Sequence, residues 1–312
     1  MQKVIVIGGP TASGKTGLGI ELAKRIKGEI ISADSMQIYK KMDIGTAKPT
    51  IEEMQGIKHH LIDFVEPNQR YSVADFKKDA IKKIEEILQN GNVPIVVGGT
   101  GLYINSLIYG IDYPEIELDE EYRAFLENCV KEQGLDNLYK KAVEIDPEAM
   151  KSISPNDKKR ILRVLEIYHQ TGKTKTMQEI ESRAGGIPYD YHVFCIDMDR
   201  EKLYDRINQR VDEMIKNGLI DEVESLLKEY KEFPTAMQGL GYKEVVWYLQ
   251  NKITKEEMIE KIKMETRRYA KRQLTWFRKN KQTIWLDGLK SKQENISIIL
   301  EEIKWKKSRI KI

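Results

Sequence analysis

The chain has 312 residues, 40% of them apolar and 32% charged, and its 52 basic and 49 acidic side chains nearly cancel to a net +3. That length suffices for one large domain or two modest ones with a packed core. The charge balance neither supports nor excludes a nucleic-acid partner, because only clustered charge bears on that. Cys129 and Cys195, the two cysteines, lie far apart in sequence and in no metal-like spacing, too few for a disulfide framework, and no apolar run is long enough to span a bilayer. With no signal peptide visible, a reducing cytoplasm is the expected compartment.

The first element is an apolar strand, Val4 to Ile7. It runs into Gly9, Pro10, Thr11, Ala12, Ser13, Gly14, Lys15 and Thr16, and a helix pattern follows with Leu18, Leu22, Ala23 and Ile26 on one face and Gly28 as its stop. Strand, glycine-rich loop and helix in that order fit G-x-x-x-x-G-K-[ST], a phosphate cradle. Backbone N–H groups at the helix N-terminus favour an anion, Lys15 adds a point charge, and the Thr16 hydroxyl can ligate Mg2+. The motif leaves open whether the phosphate belongs to a nucleotide.

A second strand, Glu29 to Ala33, leads straight into Asp34, Ser35, Met36 and Gln37. In a parallel open sheet the carboxyl ends of the strands line the ligand crevice, so Asp34 is expected beside the phosphate loop. Its position alone suits a general base, an indirect Mg2+ partner or a plain backbone cap. Residues 38 to 57 read as a long loop. His59 and His60 sit in a short strand, where neighbours face opposite sides, which disfavours a shared metal. Ser72 opens a helix reaching about Gln89.

The third apolar strand, Pro94 to Val97, ends in Gly98-Gly99-Thr100-Gly101. A P-loop ATPase or GTPase usually has an acid at such a strand end. Its absence disfavours a motor or switch; Asp197, after a later strand, is the available substitute. The paired glycines point instead to a flat group lying close to the backbone, with Thr100 free to hydrogen-bond. From 113 to 190 the pattern is nearly all helical, with a basic ridge at Lys158, Lys159, Arg160 and Arg163. Strand-like residues resume at His192. The expected architecture is therefore α/β: a P-loop NTPase-like parallel-sheet core from 1–112 and 191–312, carrying an all-helical insertion at 113–190.

The helix from Arg200 to Lys216 carries Arg206 and Arg210 four apart on one face, a pair suited to a phosphate. A loop follows with Gln238, Gly239, Leu240, Gly241, Tyr242 and Lys243. Thr254 opens a long basic helix in which Arg268, Arg272 and Lys279 share a face that suits a phosphate backbone. Tyr269, Gln273, Trp276 and Phe277 are interleaved with them, the aromatics as base stackers or, more simply, as this helix's core contacts. A last strand near Thr283 to Asp287 and a helix over 291 to 309 complete the chain.

Several of these stretches together resemble the bacterial tRNA dimethylallyltransferases. They are Gly9 to Thr16, Ser32 to Tyr39, Asp43 to Pro49, Gly98 to Tyr103, Asn156 to Arg163, Met237 to Glu244 and Arg272 to Arg278, spread in order over almost the whole chain. The resemblance implies transfer of a dimethylallyl group from dimethylallyl diphosphate to N6 of adenosine 37 of tRNA. It implies that the base is flipped into a channel through the core while the insertion clasps the anticodon stem-loop. Asp34 becomes the candidate base. Lys15, Thr16 with Mg2+, and Arg206 or Arg210 become candidates to hold the diphosphate. On the tRNA side it implies Asp34 to Gln37, Thr100, Arg123, the segment Lys159, Arg160, Ile161, Leu162 and Arg163, and the segment from Gln238 to Lys243. The family's Gln-Arg reads Lys159-Arg160 here, so that Gln's contact does not carry over. No stable protein partner is implied, and a monomer can hold the whole site. The rival readings are an adenylate isopentenyltransferase, a small-molecule P-loop kinase and an RNA-binding module with a vestigial loop.

Overall fold

The computed structural model describes residues 1–112, 119–183 and 185–304. Residues 113–118, where the sequence reading begins the insertion, and 305–309, the end of the last expected helix, lie outside the described residues. The chain divides into two compact units, Met1–Ile108 with Pro188–Ile312, and Tyr109–Ile187.

Among the described residues the first unit is built on one six-stranded sheet. Its strands are β1 (Lys3–Gly8), β2 (Gly28–Ser32), β3 (His59–His60), β4 (Val93–Gly98), β5 (Asp190–Asp197) and β6 (Ile284–Asp287). They lie in the order β3-β2-β4-β1-β5-β6 and every pairing is parallel. β1 is central, and Val4 to Ile7 have no exposed surface, as expected of a parallel strand covered on both faces. Its register sets Ile7 beside Val97 on one side and Phe194 on the other. The carboxyl ends of β1, β2, β4 and β5 therefore meet at one edge, with β1 where the order reverses, the usual ligand crevice of such a sheet. The α/β, P-loop NTPase-like reading holds.

Helices cover both faces. Lys15–Ile26 packs Leu18, Leu22, Ala23 and Ile26 into the sheet core. It closes on Lys27 in the left-handed conformation (φ 56) rather than on Gly28. Gly28 is needed instead for close packing, since a Cβ there would lie 2.6 Å from Cδ1 of Ile95. The expected loop over 38–57 contains a short helix, Ile51–Met54, opened by a capping box from Thr50 and Glu53. His60 hydrogen-bonds Glu29 through Nε2 at 2.6 Å, while Nδ1 of His59 meets the carbonyl of Ile57 at 2.8 Å, so the two rings serve separate structural bonds. No described helix is long and apolar enough to cross a membrane.

The second unit consists of the helices Glu120–Gln133, Leu135–Ile145, Pro147–Met150, Lys158–Thr171 and Lys175–Ser182. Leu126, Leu138, Ala142, Met150, Ile161, Leu162 and Leu165 form its core. Glu166 is buried there and receives Arg123 at 2.6 Å and Arg163 at 3.5 Å. A buried carboxylate is tolerable only when paired in this way.

Candidate active site

The site begins at the end of β1. Gly14 sits in the left-handed region (φ 88) as the N-cap of Lys15–Ile26, and no side chain caps that helix. The first turn thus keeps its backbone donors for a ligand. Within the loop, Ser13 N–H donates to the Pro10 carbonyl at 3.3 Å. The Ser13 hydroxyl is buried without a partner among the described residues. Among the described residues Lys15 Nζ reaches only the Pro10 carbonyl, at 3.3 Å. Burial pushes the Lys15 ammonium down to about 8, with Arg210 adding to the depression and Asp34 and Cys195 opposing it. A bound anion would favour the charged form of this half-buried lysine.

The loop forms one wall of a cavity of about 590 Å³. Thr11, Ala12, Gly14, Lys15 and Thr16 line it together with Asp34, Ser35, Met36 and Gln37. Asp34 Oδ1 accepts the backbone N–H groups of Met36 at 2.9 Å and Gln37 at 3.3 Å. The cap reading is therefore correct for one oxygen. Oδ2 takes no partner among the described residues, so a half-buried carboxylate oxygen fixed in direction remains for chemistry. Gln37 spends its amide N–H groups on the carbonyls of Thr46 and Ala47, at 3.1 Å each. Thr100 lies outside the cavity lining; its hydroxyl accepts from Ser35 N–H at 3.0 Å and so buttresses the Asp34 turn.

The opposite wall comes from two helices, Arg200–Lys216 and Lys255–Arg278. Ile207, Arg210, Val211 and Met214 face the cavity from the first, and Ile262, Thr266, Tyr269 and Gln273 from the second. Arg210 is half-buried and its guanidinium is depressed chiefly by burial. Arg206, one turn earlier, is exposed and takes no part in the lining. Of the two, Arg210 is the one that the fold brings to the cavity. A cationic end and an apolar wall of Ile20, Ile207, Val211 and Ile262 suit an anion attached to a small hydrocarbon.

Four further expectations change. Gly98 lines the cavity, but the space that a Cβ would take at the paired glycines is filled by the protein itself. A Cβ on Gly98 would lie 2.1 Å from the Ala33 carbonyl oxygen, one on Gly99 2.1 Å from Nε2 of Gln273, and one on Gly101 2.1 Å from the Trp276 ring. Protein atoms occupy that space. Tyr242 lines the cavity from the Gln238–Lys243 segment but is fully buried, and its hydroxyl donates to Glu222 at 2.6 Å. It braces Gly45 instead of reaching outward. Gln238, Gly239 and Leu240 also line the cavity, whereas Gly241 and Lys243 do not. In the helical unit Ile161 and Leu162 have no exposed surface, which excludes their side chains from any RNA contact. Lys159 and Arg160 are exposed there, and Arg163 and Arg123 are half-buried on Glu166. Asp197 does not line the cavity; its nearest cation is Arg278 at 3.8 Å.

Gln273 is a residue whose part the sequence reading missed. It is buried, accepts Thr11 N–H at 2.9 Å and donates to the Gly99 carbonyl at 2.9 Å. Tyr269, one turn away, has its phenol pushed up to about 12, first by burial. On the outer face of the same helix Arg268, Lys271, Arg272 and Lys279 at its end are exposed.

The family model described as IPP transferase matches residues 37–280. A protein of Acetivibrio thermocellus named tRNA dimethylallyltransferase is 54% identical over 288 residues, 92% of each chain. One of the same name from Carboxydothermus hydrogenoformans is 50% identical over 296 residues, 95% of each. Among solved structures, the tRNA isopentenylpyrophosphate transferase of Bacillus halodurans superposes with a TM-score of 0.73 at 44% identity, covering 97% of this chain and 96% of that one. A eukaryotic dimethylallyltransferase acting on tRNA gives 0.80 at 31% identity, covering 97% and 80%.

Proposed function

The chain belongs to the IPP transferase family, and from that premise we propose that it transfers a dimethylallyl group from dimethylallyl diphosphate to N6 of adenosine 37 of tRNA. The single observation that carries the reading is the cavity itself. It sets the Lys15–Arg210 cationic end, an apolar wall and the free oxygen of Asp34 around one space.

The adenine amine is a weak nucleophile, because its lone pair is shared with the ring. Its attack on C1 of the prenyl group forms the C–N bond while the C–O bond to diphosphate breaks. The surplus N6 proton passes to Asp34 Oδ2, the base whose other oxygen is held by two N–H groups. The electron pair leaves with the diphosphate, and its growing charge meets Lys15, Arg210 and the unspent loop donors. The apolar wall excludes water from the electrophilic carbon.

Mg2+ fits this donor set. No group of three His, Cys, Asp or Glu among the described residues could hold an ion. The Thr16 hydroxyl, beside Lys15 on the cavity wall, makes no hydrogen bond among the described residues. A small hard cation that keeps its water and takes one protein oxygen plus phosphate oxygens matches that set. When bound it would neutralise charge on the leaving diphosphate.

The RNA would lie against Arg268, Lys271, Arg272 and Lys279, with the Asp34–Gln37 turn, Gln238 and Leu240 toward the extruded base. Lys159, Arg160, Arg163 and Arg123 are the cations that the helical unit offers to the anticodon stem-loop. The reaction belongs in the cytoplasm, and one chain holds the donor site. The P-loop kinase reading is less well supported, since β4 ends in glycine and Asp197 is off the cavity.

The test is incubation with labelled dimethylallyl diphosphate and undermodified tRNA, with ATP omitted. Label should enter tRNA with the wild type and be lost with Asp34→Ala, while tRNA retention on a filter is largely kept. Label entering only when ATP is supplied would sink the reading.

A further inference from the structure

The long basic helix has two working faces. Outward it carries Arg268, Lys271 and Arg272. Inward, at spacings of four, it sends Tyr269, Gln273 and Phe277 to the carboxyl edge of the sheet. Phe277 closes on Gly8, where an added Cβ would lie 2.3 Å from the ring.

Gln273 is the polar member of that inward stripe and is 5% exposed. Its carbonyl oxygen accepts from Thr11, inside the phosphate loop, and its amide donates to Gly99, just past the end of β4. Both bonds are 2.9 Å and both partners are backbone. A side chain using both ends of its amide on two segments fixes their separation, because neither bond can relax without exposing a buried polar atom. Within the loop itself the bonds found among the described residues are those of Ser13 N–H and Lys15 Nζ, both to the Pro10 carbonyl. The conformation of Thr11 to Gly14 therefore rests heavily on this brace.

We propose that Gln273 is a positioning residue for the diphosphate: it holds the phosphate loop in its binding shape from across the crevice, acting through its bonds to Thr11 and Gly99. This rests on the reading that the loop holds the donor's diphosphate. The amide withdraws the Thr11 N–H from the ligand and sets the direction of the donors that follow. Removing it leaves Lys15 and Arg210 in place but lets the cradle spread.

The probe is inorganic diphosphate with Mg2+, titrated calorimetrically into the full chain. Gln273→Met keeps length and burial while deleting both bonds. Its Kd should rise at least tenfold, while tRNA affinity changes less than twofold. In turnover the donor KM should rise by a similar factor with the tRNA KM unchanged, a split that mere loss of folded protein would not give. If Gln273→Met melts below the assay temperature, Gln273→Asn, which keeps the amide on a shorter arm, gives the same comparison. Unchanged diphosphate affinity in the folded variant, or equal losses toward both substrates, overturns the assignment. A wild type that binds diphosphate but transfers no prenyl group overturns the functional reading alone; one that does not bind it overturns both.

Discussion

The Lys15 ammonium makes donor binding depend on pH in a window where few other groups titrate. Burial sets it near 8 in the free protein, against an ordinary 10.5. The groups facing it are Asp34, Arg210 and the buried Cys195 thiol, and burial pushes that thiol up, out of the window. A bound diphosphate favours the charged lysine and draws its pKa back up, so binding takes up a proton above pH 8. With only the charged form competent, about nine-tenths of the sites are ready at pH 7 and about one-tenth at pH 9. Affinity for dimethylallyl diphosphate should therefore fall about tenfold over those two units. An organic diphosphate titrates near pH 6, so the ligand contributes little to the slope. Calorimetric titration of the tRNA-free protein at half-unit steps measures it. Lys15→Arg, charged throughout, should bind with a flat profile. A flat wild-type profile, or the same fall in Lys15→Arg, would refute the argument. Stability moves the other way: the folded protein binds fewer protons than the unfolded chain from about 8 to 10.5, so this lysine's contribution to stability rises with pH across that window.

Arg210→Ala should raise the donor KM at least tenfold and Arg206→Ala by less than twofold, measured by initial rates at saturating tRNA, because only Arg210 lines the cavity. Gly98→Ala should cost about 3 kcal/mol or more in chemical denaturation, since its methyl would meet the Ala33 carbonyl at 2.1 Å and neighbouring strands would have to part. A melting curve equal to the wild type would contradict that packing. Arg272→Ala should lower the slope of log affinity for tRNA against log salt by about 1, with little change in donor KM, if its exposed guanidinium meets a phosphate.

What the sequence could and could not disclose follows the range of the interactions. β1, the loop and its helix were readable because their signals are local: an apolar run, a turn at Gly14, then a 3.6-residue period. The parallel α/β class followed from the alternation of such elements. The helix Ile51–Met54 had a readable signal in Thr50 and Glu53, but it is too short for a period to announce. Arg206 and Arg210 look equivalent because helix spacing places them on one face, and only the cavity, which Arg210 reaches and Arg206 does not, separates them. Gly98 and Gly99 declared that something comes close; they could not say whether it is ligand or the protein's own Ala33 and Gln273. Gln273 stands furthest from any local rule. Its Thr11 partner lies 262 residues away in sequence, and a glutamine in a basic helix looks like one more solvated side chain. The pattern has a physical basis: the groups that touch an anion are gathered in one loop, because a helix N-terminus supplies them together. The groups that hold that loop in shape must come from across the sheet, since a loop of glycine and small residues has too few side chains to hold itself.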